Sequence, residues 1–258
     1  QRSAAFLFGV KTMLKPQERI DELFRENMKI IQSSETFSFS VDALLLGNFV
    51  KVNKRDNRIM DLCSGNGIIP LLLSHRVNQP IDAVEIQPLL TDMAERSIAM
   101  NDKESQIKMY NIDIKSIRDK FQHSTYDVIT VNPPYFTSNQ PLKDKGPMSI
   151  ARHELHIDLK GIVEACRYLI TNKGRLYMVH RAERSSEVFT ELHNQGFRVR
   201  RVKYVYNDVN SKSAMFIVLE AIFNSKAYVD VLPPFYIYKE DKTYSDEMLE
   251  VYFGDDRQ

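Results

Sequence analysis

Cysteine is scarce in this chain, and its spacing says as much as its number. Cys63 and Cys166 form no CxxC and no Cys/His ligand pattern, which argues against a disulfide framework or a zinc site and fits a reducing, cytoplasmic setting. His153-Glu154-Leu155-His156 does not have HExxH spacing, so no metal is expected there. Long apolar runs are also missing: nothing approaches the roughly 18 to 20 residues that span a bilayer, so no membrane partner is expected. Ala4-Ala5-Phe6-Leu7-Phe8 is too short for a span and lacks the layout of a secretory signal; residues 1–12 read as a vector-derived leader with Met13 as the natural start. Charge of one sign is absent. A formal net charge of +1 excludes a strongly basic nucleic-acid wrapper but leaves room for one basic face. There is no internal repeat or long low-complexity tract, and 43% hydrophobic with 27% charged residues in 258 suits one large α/β domain. A monomer is the default expectation.

What is present is an alternation of elements. Ile20, Leu23, Phe24 and Met28 predict an amphipathic helix from Pro16 to about Ile31. Thr36-Phe37-Ser38-Phe39-Ser40 alternates like a short strand, and Asp42 then caps an apolar helix from Ala43 to Val50. After the polar loop Asn53 to Arg58, strands are expected near 58–62, 81–86, 107–112, 126–131, 175–180, 197–206 and 213–223, with helices near 67–77, 88–101, 158–171 and 183–195. That is a seven-stranded, mostly parallel sheet. The polar link Asn207 to Lys212 suits a hairpin, which makes the last strand an antiparallel edge strand. Three parts follow: an N-terminal, partly helical extension over 1–52, a main domain over 53–224, and a tail over 225–258 packing on it. Residues 137–157 show little periodicity, and loops of that length in compact domains are usually functional or mobile.

The first strand turns into its helix through Asp61-Leu62-Cys63-Ser64-Gly65-Asn66-Gly67, where Gly65 and Gly67 permit a tight turn and close approach of backbone to a ligand. Glu85, next to Ile86, ends the second strand twenty residues after Gly65, placed to accept both hydroxyls of an adenosine ribose. Asp113, followed by Ile114, ends the third strand and could accept the amino group of a bound adenine. All three acids stand at carboxyl ends of strands, where open parallel sheets bind ligands. A full GxGxxG is missing, because Pro70 stands where its third glycine would be. Asp61 would repel a pyrophosphate but suits an ammonium, which favours S-adenosylmethionine over NAD.

Asn132-Pro133-Pro134-Tyr135 leaves the fourth strand. Two prolines cannot continue a ladder, so the chain turns there. The Asn132 side chain and the Pro133 carbonyl are a pair of acceptors able to grip an NH2 group, beside an aromatic face from Tyr135.

With these motifs in this order, the chain resembles the class I S-adenosylmethionine-dependent methyltransferases that act on exocyclic or amide nitrogens, over about residues 36–223. Phe37-Ser38-Phe39-Ser40-Val41-Asp42-Ala43-Leu44-Leu45-Leu46, and Ala151-Arg152-His153-Glu154 after the proline turn, are similar to the bacterial tRNA(Val) adenine N6-methyltransferase family, whose members methylate adenine 37 beside the anticodon. Cys63 departs from the pattern, standing where the commoner D-x-G-x-G has its first glycine. The resemblance implies a Rossmann-like fold, S-adenosylmethionine as cofactor and tRNA as partner. It implies a cofactor site of Asp61, Cys63, Gly65, Asn66, Gly67, Glu85, Ile86, Asp113, Ile114 and Asn132, with Phe39 and Asp42 closing over it. Asn132, Pro133, Pro134 and Tyr135 would hold the acceptor base.

Basic surface for RNA is sought in Lys143, Lys145, Arg152 and His153 after the proline turn; Arg198, Arg200, Arg201, Lys203 and Lys212 are a second group that also suits a solvated edge strand. Protein glutamine N5-methyltransferases present the same NH2 problem, but carry a larger helical N-terminal domain than the roughly 50 residues before the glycine turn provide. An rRNA guanine N2-methyltransferase, a non-catalytic RNA-binding protein on this fold and an NAD-dependent dehydrogenase each fit part of the pattern.

Overall fold

Ile59-Met60-Asp61-Leu62 and Val128-Ile129-Thr130-Val131 put apolar residues on both alternating faces, a pattern stable only where a sheet is covered on both sides. The computed structural model, which describes residues 14–34, 41–135, 158–226 and 228–254, has them at the centre of such a sheet. Strands β3 (Ile59–Leu62), β4 (Ile81–Glu85), β5 (Ile107–Asn111), β6 (Tyr126–Val131), β7 (Ile170–Arg181) and β8 (Phe197–Asp208) share one direction, and β9 (Phe216–Phe223) opposes them. With the short tail strands β10 (Asp230–Val231) and β11 (Phe235–Tyr238) pairing β8 in parallel, the sheet has nine strands in the order β10-β8-β9-β7-β6-β3-β4-β5, β11 lying beside β8.

Period-two alternation splits each strand between two cores. Ile59, Ala83, Val128 and Val179 pack against helices α1 (Val41–Phe49), α2 (Ile68–Arg76), α3 (Pro88–Met100) and α7 (Asp246–Phe253). Their neighbours Met60, Val84, Ile129 and Met178 pack on the other face against α5 (Leu159–Leu169) and α6 (Ser185–Asn194), while the single turn α4 (Ile117–Lys120) closes the space below β5. The α/β, mostly parallel architecture is the one the alternation predicts.

Three details differ. The segment expected to be a helix from Pro16 to Ile31 is a hairpin, β1 (Glu18–Leu23) and β2 (Met28–Ser33), turning through Asn27 at φ 50°. Its outer edge is satisfied by distant side chains: Ser97 Oγ accepts from Ile31 N at 2.9 Å, Asn101 accepts from Lys29 N at 2.9 Å and donates to Lys29 O at 2.6 Å, and Asn66 Nδ2 donates to Ile31 O at 3.0 Å. Arg96 adds two bonds to Glu18 at 2.7 and 2.6 Å. Helical spacing of four apolar residues loses to a ladder completed from α3.

The second difference is the place of the antiparallel strand, which lies inside the sheet between β7 and β8 and not at its edge. The third is the strand count, since the tail supplies two more. Phe235 and Ile237 are 5% and 3% exposed and extend the first core past β8. Two of the basic residues of β8 are engaged: Arg201 pairs with Glu220 and lies 4.7 Å over the Phe49 ring, and Lys203 lies 5.6 Å over Phe235. The strand expected at Thr36–Ser40 and the loop 137–157 fall outside the described residues. No described helix is long and apolar enough to cross a membrane.

If β11 is part of the core, Phe235→Ala should lower unfolding stability by about 3 to 5 kcal/mol. Urea unfolding followed by circular dichroism checks this, and a loss below about 1 kcal/mol would mean the tail only rests on the surface.

Candidate active site

The strand order reverses direction of travel at β3, with β4 and β5 on one side and β6 and β7 on the other, and a crevice opens where the chain leaves β3 and β6. Register sets what meets there. Asp61 pairs with Thr130 and with Ala83, so Leu62, Val84 and Val131 stand level and Cys63, Glu85 and Asn132 follow at the mouth.

The turn after β3 is left-handed three times, at Cys63 (φ 56°), Gly65 (φ 58°) and Gly67 (φ 84°). A Cβ on Gly67 would sit 3.0 Å from that of Ala94, so this glycine lets α2 start against α3, whereas a Cβ on Gly65 would meet nothing within 4 Å. Gly65 therefore borders open space. Cys63 adopts a left-handed conformation that favours glycine, at a cost of roughly 1 to 2 kcal/mol. Burial holds its thiol well above the usual range, so it is protonated.

Glu85 is 6% exposed and anchored at both oxygens: Gly65 N donates to Oε2 and Gln87 N to Oε1, each at 2.9 Å. Burial raises its carboxyl while these donors oppose the shift. Asn111, which sequence reasoning missed, pins the next loop by donating to Glu85 O at 3.0 Å and to Ile86 O at 2.9 Å. Asp113 Oδ1 accepts from Lys115 N at 2.9 Å and caps the 3-10 turn Ile114–Ser116, whose Ile114 is buried. Asn66 uses its side-chain amide on the hairpin carbonyl of Ile31, so only its backbone stands with the turn.

Asp61 has no exposed surface. Thr130 Oγ1 donates to its Oδ1 at 2.5 Å, but Oδ2 and the nearby Ser64 Oγ have no hydrogen-bond partner among the described residues. Burial pushes its carboxyl up to about 7; Thr130 and then the nearby Ser64 hydroxyl oppose this, and the Glu85 charge adds to it. A buried acceptor left unsatisfied costs roughly 1 to 3 kcal/mol, which a cationic ligand could recover.

Across the crevice, Pro133 is buried and Asn132, Pro134 and Tyr135 are partly so. The Tyr135 hydroxyl lies 2.5 Å from Asp42 Oδ2 and 2.8 Å from Asn132 Oδ1. Its ring meets His180 edge-on at 5.3 Å and Phe216 at 6.1 Å. Asp42 is 3% exposed on α1, and its Oδ1 accepts from Ala43 N at 2.9 Å. His180, another residue missed, is 1% exposed with Nδ1 lacking a described partner, and burial pushes it down to about 4, so it is neutral at pH 7. Its one signal in the sequence is a lone histidine closing the apolar run Leu176 to Val179. Phe39, Lys143, Lys145, Arg152 and His153 lie outside the described residues.

Residues 27–204 match the family model of the methyltransferase small domain. The chain belongs to that family. A tRNA1(Val) (adenine(37)-N6)-methyltransferase of Tolumonas auensis is 33% identical over 149 residues, 57% of this chain and 60% of that protein. The matched part thus spans about three fifths of that relative's length. One of the same name from Cytophaga hutchinsonii is 23% identical over 222 residues, 85% of this chain and 91% of the relative. Among solved structures, a predicted O-methyltransferase from Agrobacterium tumefaciens superposes with a TM-score of 0.65 at 15% identity, covering 83% of this chain and 96% of that one. At such identity the likeness shows the fold, a class I methyltransferase fold.

The Asp61 geometry yields a pH prediction. Its folded value of about 7 exceeds the usual roughly 3.9, so folding favours the protonated form; this stability is present below about pH 4 and lost as pH rises to about 7. Asp61→Asn should therefore gain up to about 4 kcal/mol over wild type between about pH 4 and pH 8, read from paired urea titrations. A wild-type-minus-variant difference that does not change with pH would show that Asp61 is not held in this way.

Proposed function

We propose that this chain transfers a methyl group from S-adenosylmethionine to an exocyclic amino nitrogen, and that the nitrogen is N6 of adenine 37 in tRNA(Val). The observation that carries the reading is the fully buried Asp61 with an unpartnered oxygen, set in the same crevice as the Asn132-Pro133 turn. The residues fit that cofactor. Asp61 and Ser64 offer unpartnered oxygens to an ammonium, Gly65 leaves open space for close approach, and Glu85 is held rigidly with lone pairs to spare for ribose hydroxyls. Asp113 stands at the next strand end toward the adenine. When bound, the cofactor supplies an electrophilic methyl on its sulfonium.

The chain's own residues prepare the acceptor. Asn132 Oδ1 and the Pro133 carbonyl accept the two amino hydrogens, which draws the nitrogen out of conjugation and exposes its lone pair; neither Pro133 nor Pro134 has an N–H to compete. The Tyr135 ring flanks the base. Catalysis of this kind rests on position and electrostatics. The tRNA substrate is supported by the names of relatives and by the segments resembling theirs, and Lys143, Lys145, Arg152 and His153 are the proposed phosphate contacts. Guanine N2 in rRNA and a protein glutamine amide present the same NH2 pair, so the assay must include them.

Tritiated methyl transfer onto unmodified tRNA, total RNA, DNA and release factor, followed by nucleoside mass spectrometry, should find the label as N6-methyladenosine in tRNA. Asn132→Ala should lower turnover by about 10² or more while calorimetric affinity for S-adenosylmethionine changes little; undiminished turnover would remove Asn132 from its role. Reversing charge with Lys143→Glu and Lys145→Glu should weaken tRNA binding and lower its salt slope by about 2. An unchanged slope would take this loop out of the interface.

A further inference from the structure

The Tyr135 hydroxyl has one hydrogen and two oxygen neighbours, Asp42 Oδ2 at 2.5 Å and Asn132 Oδ1 at 2.8 Å. It can donate to only one of them. The carboxylate is the stronger acceptor, and it has no hydrogen to return. Burial, and then the adjacent Asp42 charge, push the Tyr135 hydroxyl well above its usual range, so it keeps its proton and acts as the donor. The second contact then needs a donor on the asparagine side. An amide meets that need by a half-turn about χ2, which exchanges oxygen and nitrogen at nearly the same positions. The ring does not have to move, since His180 and Phe216 hold it from two sides.

We propose that Asp42 and Tyr135 are positioning residues for the acceptor clamp: Asn132 Nδ2 donates to Tyr135 Oη, Tyr135 Oη donates to Asp42 Oδ2, and Asn132 Oδ1 is thereby turned away from the tyrosine toward the methyl acceptor. The relay commits one Asn132 N–H to the tyrosine and leaves Oδ1 as the atom facing the methyl acceptor. At the place Oδ1 faces, it favours a target that brings N–H groups over one that brings a carbonyl or ether oxygen. It also links α1 to the end of β6, so that the helix preceding the sheet orients an amide 90 residues later. The task of Oδ1 rests on the function proposed above, whereas the relay itself does not.

Two readouts keep these apart. The first is the Asn132 side-chain NH2 signal in a 15N-correlated NMR spectrum of the full chain, identified by its disappearance in Asn132→Ala. The relay requires that signal to move upfield in both Tyr135→Phe and Asp42→Ala, and to stay near its wild-type position in Asp42→Asn, which keeps an acceptor at the site. The second is turnover: Tyr135→Phe, which retains the aromatic face, should lower kcat by about 10² with KM for tRNA nearly unchanged, and adding Asp42→Ala should cost nothing further. An unmoved NH2 signal in Tyr135→Phe overturns the proposal, as does a double variant whose losses multiply. Weakened cofactor binding with normal kcat in Asp42→Ala also overturns it and assigns Asp42 to the cofactor. If the wild-type chain methylates none of the offered substrates, the proposed function fails while the NMR comparison still decides the relay.

Discussion

A carboxylate with no exposed surface and one unpaired oxygen is the constraint around which this molecule is arranged. Taking a carboxylate out of water costs several kcal/mol unless bonds replace the lost hydration, and among the described residues Asp61 has the Thr130 hydroxyl on one oxygen and no hydrogen bond on the other. Such a group persists because the surroundings are over-determined. Ile59 and Leu62 on the same strand are wholly buried in opposite cores, so β3 cannot shift register to release Asp61 without moving every apolar side chain to the wrong face. The fold offsets that cost by bulk burial, and the crevice keeps an unmet demand for positive charge.

The same rigidity organises the rest of the crevice. Glu85 is fixed by two backbone N–H groups, one of them from the glycine turn, so the turn and the second strand end hold each other in place. Asn66 and Asn101 tie the N-terminal hairpin to that turn and to α3. On the acceptor side, Tyr135 is clamped by rings from β7 and β9 and by the Asp42 carboxylate of α1. The two halves thus obtain order from different elements, the cofactor side from β3 to β5 with the hairpin, the acceptor side from β6, β7, β9 and α1.

The legible parts are those whose cause is local. Alternation along β3 to β6, Pro88 opening α3 and the paired glycines at 65 and 67 all act within a few residues, and the structure has these elements within a residue or two of their expected ends. The misread parts have partners far away. Ile20, Leu23, Phe24 and Met28 carry helical spacing, yet the hydrogen bonds that complete the outer edge of the hairpin formed here come from Ser97 and Asn101. The two tail strands leave no local signal because Phe235 and Ile237 gain an environment only once β8 is folded beside them.

The candidate site divides in the same way. The amino-acid sequence by itself determined the glycine turn, the acidic strand ends and the proline turn that follows β6, because backbone sterics and side-chain period are local properties. Only the tertiary structure decided that one Asp61 oxygen lacks a partner among the described residues, that Asp113 caps a turn, that Asn66 serves the hairpin, and that Asp42, Asn132 and Tyr135 meet at one hydroxyl. Burial and hydrogen-bond satisfaction are sums over every neighbour in space, and those neighbours are separated by up to 93 residues of chain.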